Sequence, residues 1–99
     1  MNLKKRADRN QPEIVESLRG AGCAICYLHT VGAGCPDILV SIDDQVFLIE
    51  IKDGAKPPSA QALTPAQVKW HAEWKAKVHI VNSVAAALAV VAIYKKVTL

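Results

Sequence analysis

Apolar and polar positions follow two different periods along this chain, and the changes of period mark its elements. Ile14, Val15 and Leu18 repeat at helical spacing within Asn10 to Ala21, which predicts a first helix. Asn10 can serve as its N-cap, Pro12 sits in the first turn, and Glu13 completes an N-x-x-E box. Gly20 and Gly22 end it. Ala24 to His29 reads as a strand, and Thr30 to Pro36, with Gly32 and Gly34, as a loop. Asp37 to Ile42 and Val46 to Lys52 alternate with period two around Asp43 and Asp44, which predicts a hairpin. Asp53 to Leu63 carries two prolines and a glycine and reads as a surface loop. Thr64-Pro65-Ala66-Gln67 combines a cap, a proline at the first helical position and a glutamine to close a capping box. The helix it starts is expected to run to about Lys75. Val78 to Val81 is a short apolar strand, and Asn82 or Ser83 caps a last, alanine-rich helix ending near Tyr94. The order α-β-β-β-α-β-α predicts an α/β fold, with one mixed sheet flanked by helices.

The hairpin fixes its own register. A two-residue turn at Asp43-Asp44 sets Ile42 opposite Gln45, and counting back sets Asp37 opposite Glu50. Directly opposed residues share a face, with Cβ atoms about 4.5–5.5 Å apart. That face carries Asp37, Leu39, Ser41, Val46, Leu48, Glu50 and Lys52. The other carries Ile38, Val40, Ile42, Phe47, Ile49 and Ile51, all apolar, and calls for a covering helix. A three-residue turn would drive Asp37 into the apolar set, so the pattern selects the shorter turn.

Charge sharpens this picture. The chain of 99 residues has a net charge of +3, unevenly spread: residues 1–19 carry +2, 37–53 carry −4, 56–77 carry +3, and Lys95 and Lys96 add +2. An acidic centre between basic flanks suits a metal-dependent enzyme acting on a polyanion better than a purely binding protein, which would be basic throughout. Two carboxylates as close as Asp37 and Glu50 repel unless a cation lies between them, and oxygen-only ligands favour Mg²⁺ or Mn²⁺. Lys52 lies on the same face, about 6.5 Å further along the strand, and can hold a water or an anionic transition state. Metal, activated water and a fixed ammonium are what phosphodiester hydrolysis requires. The competing reading is a salt bridge between Lys52 and two surface acids at a sheet end.

Composition bounds the rest. The length fits one domain, 1–99, and 52% apolar with 21% charged residues excludes a disordered polymer. The longest apolar run, Val84 to Tyr94, has eleven residues, short of the roughly 20 that span a bilayer. The basic Met1 to Arg9 segment has no apolar stretch behind it, so no secretory signal is expected and the cytoplasm is the expected compartment. Cys23, Cys26, His29 and Cys35 include four possible zinc ligands. Cys26 and His29 lie three apart in a strand and face opposite sides, so buried thiols are the expectation instead.

Cys35-Pro36-Asp37 followed by Ile49-Glu50-Ile51-Lys52 matches the PD…(D/E)xK signature of the restriction-endonuclease-like superfamily. Gly34 to Val40, Phe47 to Gly54, Leu63 to Gln67 and the opening Asn10-Gln11-Pro12-Glu13-Ile14-Val15 resemble the VRR-NUC family, in particular its compact phage and bacterial members. The likeness spans residues 8–82. The same module occurs inside the larger Fanconi-associated nuclease. The resemblance implies a Mg²⁺-dependent DNA endonuclease, with branched DNA such as Holliday junctions or flaps as substrate. It implies Asp37, Glu50 and the carbonyl of Ile51 as metal ligands, Lys52 to position or polarise the attacking water, and Gln67 at the rim of the site. Glu13 and Glu16 lie equally far from the centre of the first helix's apolar stripe, so periodicity does not choose between them; the resemblance selects Glu13 as the first-helix acid. Cys35 departs from the small or aliphatic residue expected there. The alternative is a non-catalytic DNA-binding or adaptor module that keeps the fold, against which an intact Asp37, Glu50 and Lys52 argue.

Resolving a junction takes two symmetric cuts, and a two-fold homodimer supplies both sites from one gene. The last helix and the Trp70/Trp74 face are the candidate contacts. Lys56, Lys69 and the basic run Lys4, Lys5 and Arg6 are expected to border the DNA-facing side.

Overall fold

The computed structural model describes residues 8–97; the expected DNA contacts Lys4, Lys5 and Arg6 lie outside that range. Eight elements follow in order: α1 (Gln11–Gly20), β1 (Ala24–Tyr27), β2 (Ile38–Ile42), β3 (Gln45–Ile51), α2 (Pro58–Gln61), α3 (Pro65–Glu73), β4 (Val78–Val81) and α4 (Val84–Tyr94). The strands form one sheet in the order β1-β2-β3-β4. The first three are antiparallel, and β4 joins β3 in parallel after the α2–α3 crossover. This is the expected mixed α/β sheet with helices on its faces.

The hairpin has the expected register. Ile42 opposes Gln45 and Ile38 opposes Ile49. Asp43 and Asp44 both adopt positive φ, 50° and 66°, the mirror-image turn whose twist matches that of the flanking strands. Ile38, Val40, Ile42, Phe47, Ile49 and Ile51 are all buried, and Ile14, Val15 and Leu18 of α1 with Ala87 and Val91 of α4 cover them. Burying each such side chain contributes about 1.5–3 kcal/mol, so this two-layer core holds the hairpin in place. On the other face of the sheet, Leu28, Trp70 of α3 and Trp74 line a groove with Leu39, Val46 and Leu48.

Boundaries depart from the sequence reading where side chains take up tertiary bonds. Asn10 does not cap α1. Its backbone is helical, and its amide donates instead to the carbonyls of Lys52, at 2.9 Å, and Asn82, at 3.4 Å. The N-x-x-E box is therefore not formed. The box on α3 is formed in full by Thr64 and Gln67. Of the two candidates for the last cap, Ser83 is used, its hydroxyl accepting from Ala86 N–H. The loop expected over Asp53 to Leu63 contains the single turn α2, and α3 stops at Glu73, with Trp74 already extended.

Candidate active site

Asp37, Glu50 and Lys52 lie where the hairpin leaves the sheet, and all three are buried: 1%, 0% and 8% exposed. Charged groups are buried this completely only when paired or bound to a metal. One step beyond the Ile38–Ile49 pair, the register brings Asp37 opposite Glu50. On its other side Asp37 extends the β1–β2 ladder, its carbonyl accepting from Leu28 N–H at 2.8 Å. The Asp37 side chain is fixed as well, with Oδ2 accepting from Ile51 N–H at 2.6 Å. Asp37 is thus locked against the residue whose carbonyl the sequence reading places among the ligands.

Lys52 is held at three points. Its N–H donates to the Val81 carbonyl at 2.8 Å, its carbonyl accepts from Asn10, and its Nζ donates to Gln67 Oε1 at 2.7 Å. Gln67, itself buried, also accepts from Thr64 N–H with the same oxygen, at 2.9 Å. The helix cap foreseen for Gln67 and its bond to Lys52 meet at one atom. The position of α3 depends on Gly34. Its φ is +85°, and a Cβ there would collide with the Ala66 carbonyl and stand 2.9 Å from Gln67 N. Only glycine lets this loop pass so close to the first turn of the helix.

Glu13 does not join the two carboxylates. The buried stripe of α1 is Gln11, Ile14, Val15 and Leu18, and Glu13 and Glu16 are both exposed. At about 100° per residue, Glu13 lies some 200° round the helix from Gln11. It lines a separate cleft with Arg9, Asp53 and Ser83. The polar residue that α1 turns inward is Gln11, 4% exposed, with its Nε2 3.5 Å from His29 Nδ1 and its Oε1 buried without a hydrogen-bond partner. It lies between Asn10, which holds Lys52, and His29, which follows Leu28 beside Asp37. A signal was present, since Gln11 stands three and four residues before Ile14 and Val15, in phase with the stripe.

Lys56 and Lys69 are exposed. Cys23 and Cys35 are buried while Cys26 is exposed. Among the described residues no three His, Cys, Asp or Glu side chains gather as a metal site, so the Cys/His quartet does not converge. What the hairpin offers a cation is two carboxylates and backbone carbonyl oxygen, a hard-oxygen set suited to Mg²⁺ or Mn²⁺. No helix among the described residues is long and apolar enough to cross a membrane.

No protein-family model matches the sequence, and no curated protein matches it. A solved structure of a VRR_NUC domain does match, with a TM-score of 0.64 and 25% sequence identity over 87% of this chain and 94% of that one. The likeness to the VRR-NUC family read from the motifs is thus found again in three dimensions. It supports membership of that family, with its restriction-endonuclease-like fold, and suggests a nuclease.

Proposed function

From a VRR-NUC fold, we propose that this chain is a metal-dependent endonuclease that hydrolyses phosphodiester bonds in branched DNA. The observation that carries this reading is the burial of Asp37, Glu50 and Lys52 at one end of the hairpin, each fixed by the backbone or by α3. Asp37, Glu50 and the Ile51 carbonyl would hold Mg²⁺, with Mn²⁺ able to substitute. Such an ion lowers the pKa of its water and offsets charge on the phosphate. Their donor chemistry fits it, since two buried carboxylates and a backbone carbonyl are the hard oxygen ligands such an ion takes.

The chain's own groups divide the remaining work. Ile51 N–H holds the Asp37 carboxylate in one orientation. Lys52 would present a fixed ammonium toward the attacking water and the negative charge that develops on the phosphoryl oxygens, and it is pre-oriented by Gln67. Gln11 and His29 form a polar wall on the α1 side. Lys56 and Lys69, exposed on the crossover and on α3, would take flanking phosphates. Symmetric incision of a junction calls for two sites, and a homodimer supplies them. The outer stripe of α4, Ala85, Leu88, Ala89, Ala92 and Ile93, is exposed and apolar and offers the contact.

The test is a cleavage panel of Holliday junction, flap, splayed arm and plain duplex, run with Mg²⁺ and with chelator. Cutting of the branched substrates by wild type, lost in chelator and in Lys52→Ala, is the expected result. A wild type that binds branched DNA but cuts none of the panel would make the chain an adaptor.

A further inference from the structure

We propose that the groove under Trp70 and Trp74 is a stacking site for an unpaired nucleobase beside the scissile phosphate. This rests on the nuclease reading and gives it a physical basis for choosing open over fully paired DNA. The two indoles stack on each other, with ring centroids 4.7 Å apart and planes 23° from parallel. Trp74 is nonetheless 46% exposed, so the pair presents a flat aromatic surface to solvent. Beneath it lies a cavity of about 420 Å³ with an almost wholly apolar lining that includes Leu28, Cys35 and Leu39.

The charges around this floor are those of a nucleic-acid site. Lys77 lines the groove, Lys69 and Lys75 are exposed on the same stretch, and Glu73 is the one acid between residues 64 and 79. An apolar aromatic platform with a cationic rim matches a single strand, whose bases stack while its phosphates meet the lysines. The groove also adjoins the carboxylates. Leu28 donates its N–H to Asp37, and Gln67, seven residues before Trp74, touches Lys52. Seven residues of helix span about 10 Å, or about three stacked nucleotides. The groove is therefore within reach of a base about three nucleotides from a phosphate held at Asp37 and Glu50. In an intact duplex that base is paired and stacked; at a branch point or on a single strand it is available.

Trp70 and Trp74 are the chain's two tryptophans, so tryptophan emission, excited at a wavelength that Tyr27 and Tyr94 do not absorb, reads this groove. A splayed-arm oligonucleotide, oligothymidylate and an abasic deoxyribose-phosphate oligomer of equal length are titrated into wild type in chelator. The two base-bearing probes are expected to quench the emission, and the abasic oligomer, with the same charges, to leave it unchanged. Trp74→Ala is expected to weaken splayed-arm binding about tenfold, with most of the loss restored in Trp74→Phe. With Mg²⁺ the same factor appears in KM for the splayed arm, with kcat held and plain duplex unaffected. Quenching by no probe, or equal quenching by abasic and base-bearing probes, overturns the proposal. So does an emission maximum that shifts with protein concentration and not with DNA, which would mark a second copy of the chain seated there. Base-dependent quenching without Mg²⁺-dependent cleavage leaves the stacking site standing and removes the nuclease reading; cleavage without such quenching does the reverse.

Discussion

Gln67 Oε1 accepts the Lys52 ammonium at 2.7 Å and, with the same oxygen, closes the cap of its own helix. The start of α3 and the ammonium of the site are therefore not independent. Gln67→Ala removes both bonds. A lost cap costs about 1 kcal/mol and a lost hydrogen bond to a charged group about 1.5–3 kcal/mol. Thermal unfolding should show a destabilisation of that order, and kcat should fall with little change in DNA affinity. Lys52→Ala should lower kcat by about 10²–10³ or more. Equal losses of binding and rate in Lys52→Ala would make Lys52 a phosphate anchor and nothing else.

Asp37→Asn keeps an oxygen to accept from Ile51 N–H and removes one of two facing negative charges. The variant should fold, lose cleavage, and melt at or above the wild-type temperature when no divalent ion is present. Mn²⁺ should raise the melting temperature of wild type, because a ligand bound only by the folded state stabilises it, and should not raise that of the variant. Calorimetric titration and melting curves check both. Undiminished cutting by Asp37→Asn would remove this carboxylate from the site.

Gly34 tests whether α3 is held by the loop in front of it. Gly34→Ala combines a positive φ with a collision against the Ala66 backbone. It should cost more than about 1 kcal/mol and move Gln67 away from Lys52. The expected signature is a loss of kcat greater than the loss of folded protein, measured by activity and circular dichroism on the same sample.

His79 lies behind the site and gives stability a pH dependence. Its Nε2 meets Tyr94 Oη at 2.6 Å, and Tyr94 stacks on Phe47. Burial, and next the charge of Lys77, push the His79 pKa below its ordinary value of 6.5. The unfolded chain therefore takes up this proton at higher pH than the folded one. The contribution of His79 is complete above pH 6.5 and declines as the pH falls toward its folded pKa. Melting temperatures from pH 8 to 5 should drop for wild type and drop less for His79→Gln.

Assembly has its own measurement. Ile93 is 68% and Leu88 39% exposed on the outer face of α4. Light scattering at micromolar concentration should give twice the chain mass of 10.7 kDa, and Leu88→Glu should return it to one. A wild-type mass near 10.7 kDa with junction resolution intact would rule out a pre-formed dimer.

The hairpin was legible because two constraints coincide in it. A two-residue turn and strict alternation leave a single register, and that register carries Asp37, Glu50 and Lys52 with it. The Thr64–Gln67 box was legible because capping is local. Asn10 was misread for the complementary reason: a good cap by type, it spends its amide on Lys52 and Asn82, 42 and 72 residues away. Gln11 hid behind its polarity, since a stripe drawn through apolar residues stops at Ile14. Trp70 and Trp74 were grouped on one face by their spacing and do stack, but α3 ends at Glu73 and not near Lys75, so Trp74 meets Trp70 from the extended residue after the helix.

The three anchors of Lys52 reach far along the chain, to Asn10, to Gln67 and to Val81. A ribosome makes them in that order, and Val81 comes last. A nascent chain that has emerged only as far as α3 already contains Asp37, Glu50 and Lys52. It has no β4 to receive the Lys52 N–H, and the edge of β3 is uncovered. The residues that would cut DNA are thus complete long before the framework that aligns them. Emergence of β4 is built into the strand order as the condition for that alignment, so products that stop short of Val81 carry the motif without the aligned framework.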